Sequence, residues 1–499
     1  MRKWWPLMAI CAGACMLLVD VTIVNVALPD MARELHTTFG DLQWVIDLYA
    51  LVLGALVLTV GSVADRLGRR KVYLGGLVLF AASSLTCGLA PNVGVLIAAR
   101  GVQGIGAAAM FATTMALISN TYTGRERGMA FGIWGAVNGA ASAVGPIIGG
   151  LLTASFGWRW IFLVNLPISV VAIALTLRVV TESRDPSPSR VDLPGMLSFT
   201  VAAAALTYAL IRGAWASSET IALVAVTVVA VIVFVLAERR TAAPMLDLAL
   251  LRNPVFTAML LAGALLSAAA WAGFTYQSLW FQSVLGLSAI QAGLVVLPCA
   301  ACAFLVSGQV GRFLHRTSPR WMVGTGLLVI AVGALAQAVV RQNSSWPVVI
   351  PGLVLVGIGA GLAMASLTST AMAAVPWQRA GMAGGALSAF RQLGYAFGIA
   401  VLGEVFRGGL TRTAGAGLSA TLSGGQARAV LARTPALSPV VHRAFANGLD
   451  LAYVVAAGLG LLAAAAVFVL ARPRPPAGAA AAVGGESGAA EPAPASVEG

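Results

Sequence analysis

Ionisable side chains are scarce in this chain. Only 10% of its 499 residues are Asp, Glu, Lys or Arg, while 59% are hydrophobic; a soluble domain carries about 25% charged residues. So little polar surface cannot cover a chain of this length in water, which excludes a soluble globular protein and leaves lipid as its solvent. Lysine is nearly missing: only Lys3 and Lys71 occur, and neither follows a phosphate-cradling glycine loop. A P-loop, and with it direct use of ATP, is therefore excluded. The three histidines, His36, His315 and His442, lie between apolar runs and cannot cluster inside a membrane. The five cysteines all lie within apolar runs. Even Cys299-Ala-Ala-Cys302, with its redox spacing, is expected to pack rather than to form a disulfide or bind metal. GIGAG at 357–361 lacks the strand-to-helix context of a dinucleotide fingerprint.

What is abundant is apolar sequence, and the mean hydropathy is +0.89. A spanning helix needs about 20 mainly apolar residues. Fourteen such runs are expected, near 6–28, 43–63, 72–90, 94–118, 129–153, 160–179, 194–212, 220–237, 255–281, 290–311, 321–340, 347–372, 381–406 and 450–471. The first continues through Asp20 to Pro29 without a small-residue cleavage site and reads as a span, not a signal peptide. With the N-terminus inside, the inner segments hold 20 Lys and Arg and the outer ones 9, while Arg100 and Arg391 fall within spans. This is the positive-inside asymmetry, and it places both termini in the cytoplasm. The formal charge of +13 is thus spread over short loops, which argues against nucleic acid as a partner. Arginine in place of lysine suggests a GC-rich bacterial genome, with an actinomycete as the expected source. The Pro-, Ala- and Gly-rich tail from 473 reads as disordered and cytoplasmic.

A duplication is written into the chain. GIGA occurs at 104–107 and 357–360, and GMA at 128–130 and 381–383, both offset by 253 residues. Gly61-Ser62-Val63 and Gly308-Gln309-Val310 end equivalent spans at a slightly different offset. The expected organisation is a six-helix bundle over 1–180, two inserted helices with linkers over 181–254, and a second six-helix bundle over 255–472. The second bundle would carry a long outer loop at 407–449. Transporters built from repeats place their substrate near the bilayer midplane, between the halves, and rock around it.

Five stretches carry chemistry. In GSVADRLGRRKVYLGG (61–76), Gly61 and Gly68 permit close approach and a tight turn. Asp65 is placed for a neighbouring helix end or an arginine, and Arg66, Arg69 and Arg70 belong to the same basic loop. LIAARGVQGIGAAA (96–109) puts Arg100 and Gln103 inside a span, and GAASAVGPIIGG (139–150) puts Gly145 and Pro146 there. The others are LLVDVTIVNVALP (17–29), with Asp20 and Asn25, and WRWIFLVNLP (158–167). Together, in this order and on these spans, they closely resemble the major facilitator superfamily, and within it the fourteen-helix drug:proton antiporters, over roughly 5–472. The resemblance implies an all-α membrane protein of two six-helix bundles plus two inserted helices. It also implies that Gly145-Pro146 marks an exporter and seals its closed state. In two places the chain departs from the family. Gly394-Tyr395 stands where many members have a second glycine, and Asp47 is an acid that the family associates with export of lipophilic cations.

Asp20 is the informative charge, because an acid near the middle of a span costs about 2.5–3.5 kcal/mol to insert. It lies eight residues below Leu28, about 12 Å from the outer end of its span, and Arg100 lies about 9 Å into the fourth span from the same side. At matched depth and opposite sign, Asp20 can take up a proton while Arg100 answers its charge; a static ion pair is the alternative. Asp47 could relay the proton or attract a cationic substrate. Gln103, Asn25, Arg391 and Glu404 complete the candidate substrate contacts, and for Glu404 an interfacial acid facing water is the stronger reading. The expected function is proton-coupled export of hydrophobic small molecules from the plasma membrane of a bacterium. It would be carried out by a monomer with protons as coupling ion and no other cofactor. Rival readings are a proton symporter for uptake, or a membrane receptor or enzyme that transports nothing; no His, Cys or metal cluster supports the enzyme.

Overall fold

The computed structural model describes residues 2–37, 39–184, 192–212, 217–241, 244–313, 318–376 and 379–471. The tail expected from 473, and His315, lie outside them. Among the described residues all regular structure is helical. The first half contains α1 (Trp5–Glu34), α2 (Phe39–Leu67), α3 (Arg69–Gly88), α4 (Val93–Thr121), α5 (Gly124–Phe156), α6 (Trp160–Leu163) and α7 (Asn165–Val179). Then come α8 (Leu193–Arg212) and α9 (Ser218–Arg240). The second half contains α10 (Pro254–Leu266), α11 (Gly273–Leu279), α12 (Ala289–Phe313), α13 (Pro319–Gln337), α14 (Ile350–Ala373), α15 (Ala380–Ser423), α16 (Ala427–Arg433) and α17 (Ser438–Leu470). Wider π turns over Ser267–Trp271 and Trp280–Val284 carry α10 and α11 on as one membrane-crossing unit.

Thirteen spans among the described residues are long and apolar enough to cross a bilayer. The remaining expected run, 129–153, lies in α5, an unbroken helix of 33 residues. Helix starts follow local chemistry. Asn92 accepts from the amide of Val95 at the head of α4, and Asn253 does the same for α10 with Pro254 in the first helical position. Gly68, at φ 113°, makes the turn between α2 and α3 in a conformation that only glycine adopts freely.

The repeated glycines have matching jobs. Gly104 lets α4 approach α2 at Tyr49 and Val52, and Gly106 lets it approach α3 at Gly76 and Phe80. In the second half, Gly357 lets α14 approach α12 at Cys299, and Gly359 lets it approach α13 at Gly326 and Ile330. Thus α2, α3 and α4 correspond to α12, α13 and α14, packed by small residues as membrane helices are. Between the halves, α5 packs on α12 and α2 packs on α15. α8 packs against α9, α2 and α15, so α8 covers the α2–α15 seam and α9 packs on α8.

Two expectations need correction. The first helix runs past Pro29 to Glu34, where Glu34 pairs with Arg159 and accepts from Trp158 Nε1 at 2.7 Å. The stretch 407–449, read as a long outer loop, is mostly helical: α15 continues to Ser423 through a kink at Gly415, followed by α16 and the first turns of α17. Gly409 makes this possible by seating α15 directly on Gly448 of α17.

Candidate functional site

Asp20 is fully buried among α1, α4 and α7, and its carboxylate accepts three hydrogen bonds. Arg100 Nη1 donates to Oδ2 at 2.6 Å, while Gln103 Nε2 and Asn165 Nδ2 donate to Oδ1 at 3.2 and 3.1 Å. Arg100 is equally enclosed. Its Nη1 also donates to Gln103 Oε1 at 2.8 Å, its Nε to the carbonyl of Val45 at 3.0 Å, and its guanidinium lies 4.1 Å from the centre of the Tyr49 ring. Asn165 donates further to Ser84 Oγ, and Ser84 to the carbonyl of Phe162. Every oxygen of the ionised acid is therefore satisfied, which is what a buried ion pair needs to survive. Removing one partner of such a pair leaves the other buried without a counter-charge and costs about 3–5 kcal/mol.

The basic loop forms a second cluster. Arg69 Nε donates to Asp65 Oδ1 at 2.7 Å, with Arg69 buried. The other carboxylate oxygen, Oδ2, accepts from the backbone amide of Met382 at 2.7 Å, in the first turn of α15. This contact joins the two halves, and it places an anion at a helix N-terminus, where the dipole favours it. Glu182 holds the loop from behind, accepting from the amides of Arg70 and Lys71, while Arg70 Nη2 donates to the carbonyl of Leu177. Close by, the halves also meet where Gly384 faces Met115 of α4 and Gly385 faces Leu58 of α2.

The buried acid–arginine pair at matched depth, inside a doubled six-helix frame, agrees with a family model named Major Facilitator Superfamily, which matches residues 10–399. This chain belongs to that superfamily. It is 39% identical over 405 residues to the multidrug resistance protein Stp of Mycobacterium tuberculosis, covering 80% of this chain and 75% of that protein. It is 30% identical over 491 residues to the tetracenomycin C resistance and export protein of Streptomyces glaucescens, covering 93% and 91%. Among solved structures, the human organic anion transporter MFSD10 (TETRAN) superposes with a TM-score of 0.64 at 17% identity, covering 93% of this chain and 99% of that one. That likeness concerns the fold alone. As a superfamily member with these relatives, the chain is a multi-pass protein of the bacterial cell membrane.

The sequence-chosen residues separate into groups. Asp20, Arg100 and Gln103 come together. Gln103, expected to touch substrate, has both ends of its amide engaged inside the cluster and is fully buried. Asp47 does not join them. Val45 and Tyr49 face Arg100, and two residues turn a helix by about 200°, so Asp47 points to the other side of α2. That side also carries Gly54, next to Gln392 of α15 and Thr207 of α8. Gly145 faces Val19 and Thr22 of α1, on either side of Asp20 in the chain, and Gly149 faces Ile23. The motif thus presses α5 on the helix that carries the acid. α5 also lies on α12, with Gly139 near Ala303 and Ser307 Oγ donating to the carbonyl of Gly132. Glu404 is exposed and pairs with Arg407 at 3.4 Å. The side chains of Asn25 and Pro146 lie outside the described residues. Asn165, Tyr49, Ser84 and Glu182 are additions that sequence reasoning misses. For Asn165 a signal exists: it is the one amide in the apolar run of WRWIFLVNLP.

Proposed function

We propose that this chain exports hydrophobic small molecules in exchange for protons by alternating access, and that it protects its host from antibiotics. The observation that carries this reading is the sealed Asp20–Arg100 pair, completed by Gln103 and Asn165, in a member of a transporter superfamily. Its relatives bear names of multidrug resistance and of tetracenomycin C resistance and export. A proton reaching Asp20 removes the charge that holds Arg100, and the helices α1, α4 and α7 are then free to repack. Each inward proton contributes about 2.3 kcal/mol per 100 mV of membrane potential, plus the pH term.

The conformation described is closed at the end that carries the basic loop. Asp65 and the amide of Met382 act as a latch there, and Gly384 and Gly385 let α15 close on α4 and α2. The Gly145 and Gly149 contacts transmit a shift of α1 to α5 and from there to α12. The test is expression in a drug-sensitive host lacking its own pumps. Resistance to a panel of lipophilic antibiotics that disappears with an uncoupler supports the reading. Accumulation in place of extrusion would show uptake instead.

A further inference from the structure

Two arginines lie deep within spans, and they differ in one respect. Arg100 has an acid, an amide, a carbonyl and an aromatic face. Arg391, on α15, has no hydrogen bond or ion pair with any described residue, and its Nη1 is shut away from solvent without a partner. It sits eleven residues from the start of α15, about 16 Å along the helix. Its neighbour Gln392 lies 3.9 Å from where a Cβ would stand on Gly54, in the middle of α2. Its stem runs over α10 where Gly263 leaves room, and Gly394 holds α15 against Ala264 one turn on.

Apart from Asp47, the acids of the spanning helices are committed elsewhere. Asp20 holds Arg100, Glu404 pairs with Arg407, Asp450 holds the amide of Val340 and Arg341, and Glu238 accepts from the amide of Leu246. Asp47 lies seven residues outward of Gly54, about 10 Å away in depth. Arginine cannot shed its proton, so it cannot escape the burial cost as a lysine would. An unmatched cation at this depth is a functional residue by default, and its planar fork suits an oxyanion.

We propose that Arg391 binds an ionised acid on the transported molecule, so that the substrates include lipophilic carboxylates. This rests on the exporter reading. Asp47, further out on the facing helix, remains available for a basic group on the same or another substrate.

The test uses the full chain in proteoliposomes under an imposed proton gradient, with two probes on one ring system: rhodamine B, which bears a carboxylate, and its ethyl ester, which does not. Wild-type protein should move both. Arg391→Gln should cut rhodamine B flux at least tenfold and leave ester flux within twofold, which also shows that the variant is folded. Arg391→Lys, keeping the charge but not the fork, should fall between. Equal loss of both probes, or no change in either, overturns the proposal in favour of a structural arginine. Wild-type protein that moves the ester but not the acid overturns it too, and leaves the exporter reading standing. Movement of neither probe under any gradient removes both.

Discussion

Replacing Asp65 by alanine should unlatch the basic-loop end of the protein. Only contacts that exist in one conformation and not in the other bias an equilibrium between them. The Asp65–Arg69 pair lies within the first half, so it persists in both conformations and largely cancels. The bond from the Met382 amide to Asp65 Oδ2, at 2.7 Å, crosses between the halves and is lost on opening. A hydrogen bond to a charged group is worth about 1.5–3 kcal/mol, which converts to a shift of about 10- to 150-fold toward the open state. Asp65→Asn keeps an acceptor without the charge and should shift the equilibrium by about half as much in free energy. Spin labels at Asn120 on α4 and Ala373 on α14, one on each side of the cleft lined by Ser119, Arg127, Met372 and Val375, would report the separation by pulsed dipolar spectroscopy. Asp65→Ala should show a longer-distance population and Asp65→Asn a smaller one. An unchanged distribution in Asp65→Ala would refute the latch.

Other sites give sharper contrasts. Gly357→Ala presses a methyl group on the backbone carbonyl of Cys299, whereas Gly308 has nothing within 4 Å. The first should cost about 1–3 kcal/mol as an overpacking change and the second almost nothing, as thermal unfolding in detergent can compare. Glu404→Gln removes an exposed pair with Arg407 and should change stability by less than about 1 kcal/mol and transport not at all. Glu34 lies beyond the spanning part of α1, and its hydrogen bond with Arg159, helped by Trp158, lowers its carboxyl below the usual range. A depressed folded value means that the contribution is present above the unfolded value, near 4.5, and is lost as pH falls through the folded one. Glu34→Gln should therefore be less stable than wild type at neutral pH and equal to it in acid, and a gap that persists at low pH would contradict the assignment.

The frame of the molecule is legible in the sequence because lipid imposes simple arithmetic. Apolar run lengths locate the helices, and counting residues down α1 and α4 puts Asp20 level with Arg100; the two side chains meet at 2.6 Å. The paired GIGA motifs announce the duplication, since each glycine marks a helix crossing that recurs in both halves. Partners distant in the chain are not legible. Asn165 reaches Asp20 because α7 packs against α1, a pairing that no local pattern announces. Glu182 caps α3 from the far end of α7. Residue type and depth point Asp47 toward the proton path, yet helical phase turns it toward the α2–α15 seam. The 407–449 region misleads for another reason: its many glycines read as loop. Tertiary packing of Gly409 on Gly448 overrides that local preference.

The decisive measurement is flux by Asp20→Asn in proteoliposomes, with the substrate gradient and the pH gradient set independently. Asparagine keeps the size and the hydrogen bonds from Gln103 and Asn165 but can neither bind nor release a proton. The variant should still let substrate run down its own gradient, and should neither acidify the lumen nor concentrate substrate when only a pH gradient is applied. Uphill transport by Asp20→Asn at near wild-type rate would mean that the proton travels elsewhere and that the sealed pair is only a brace.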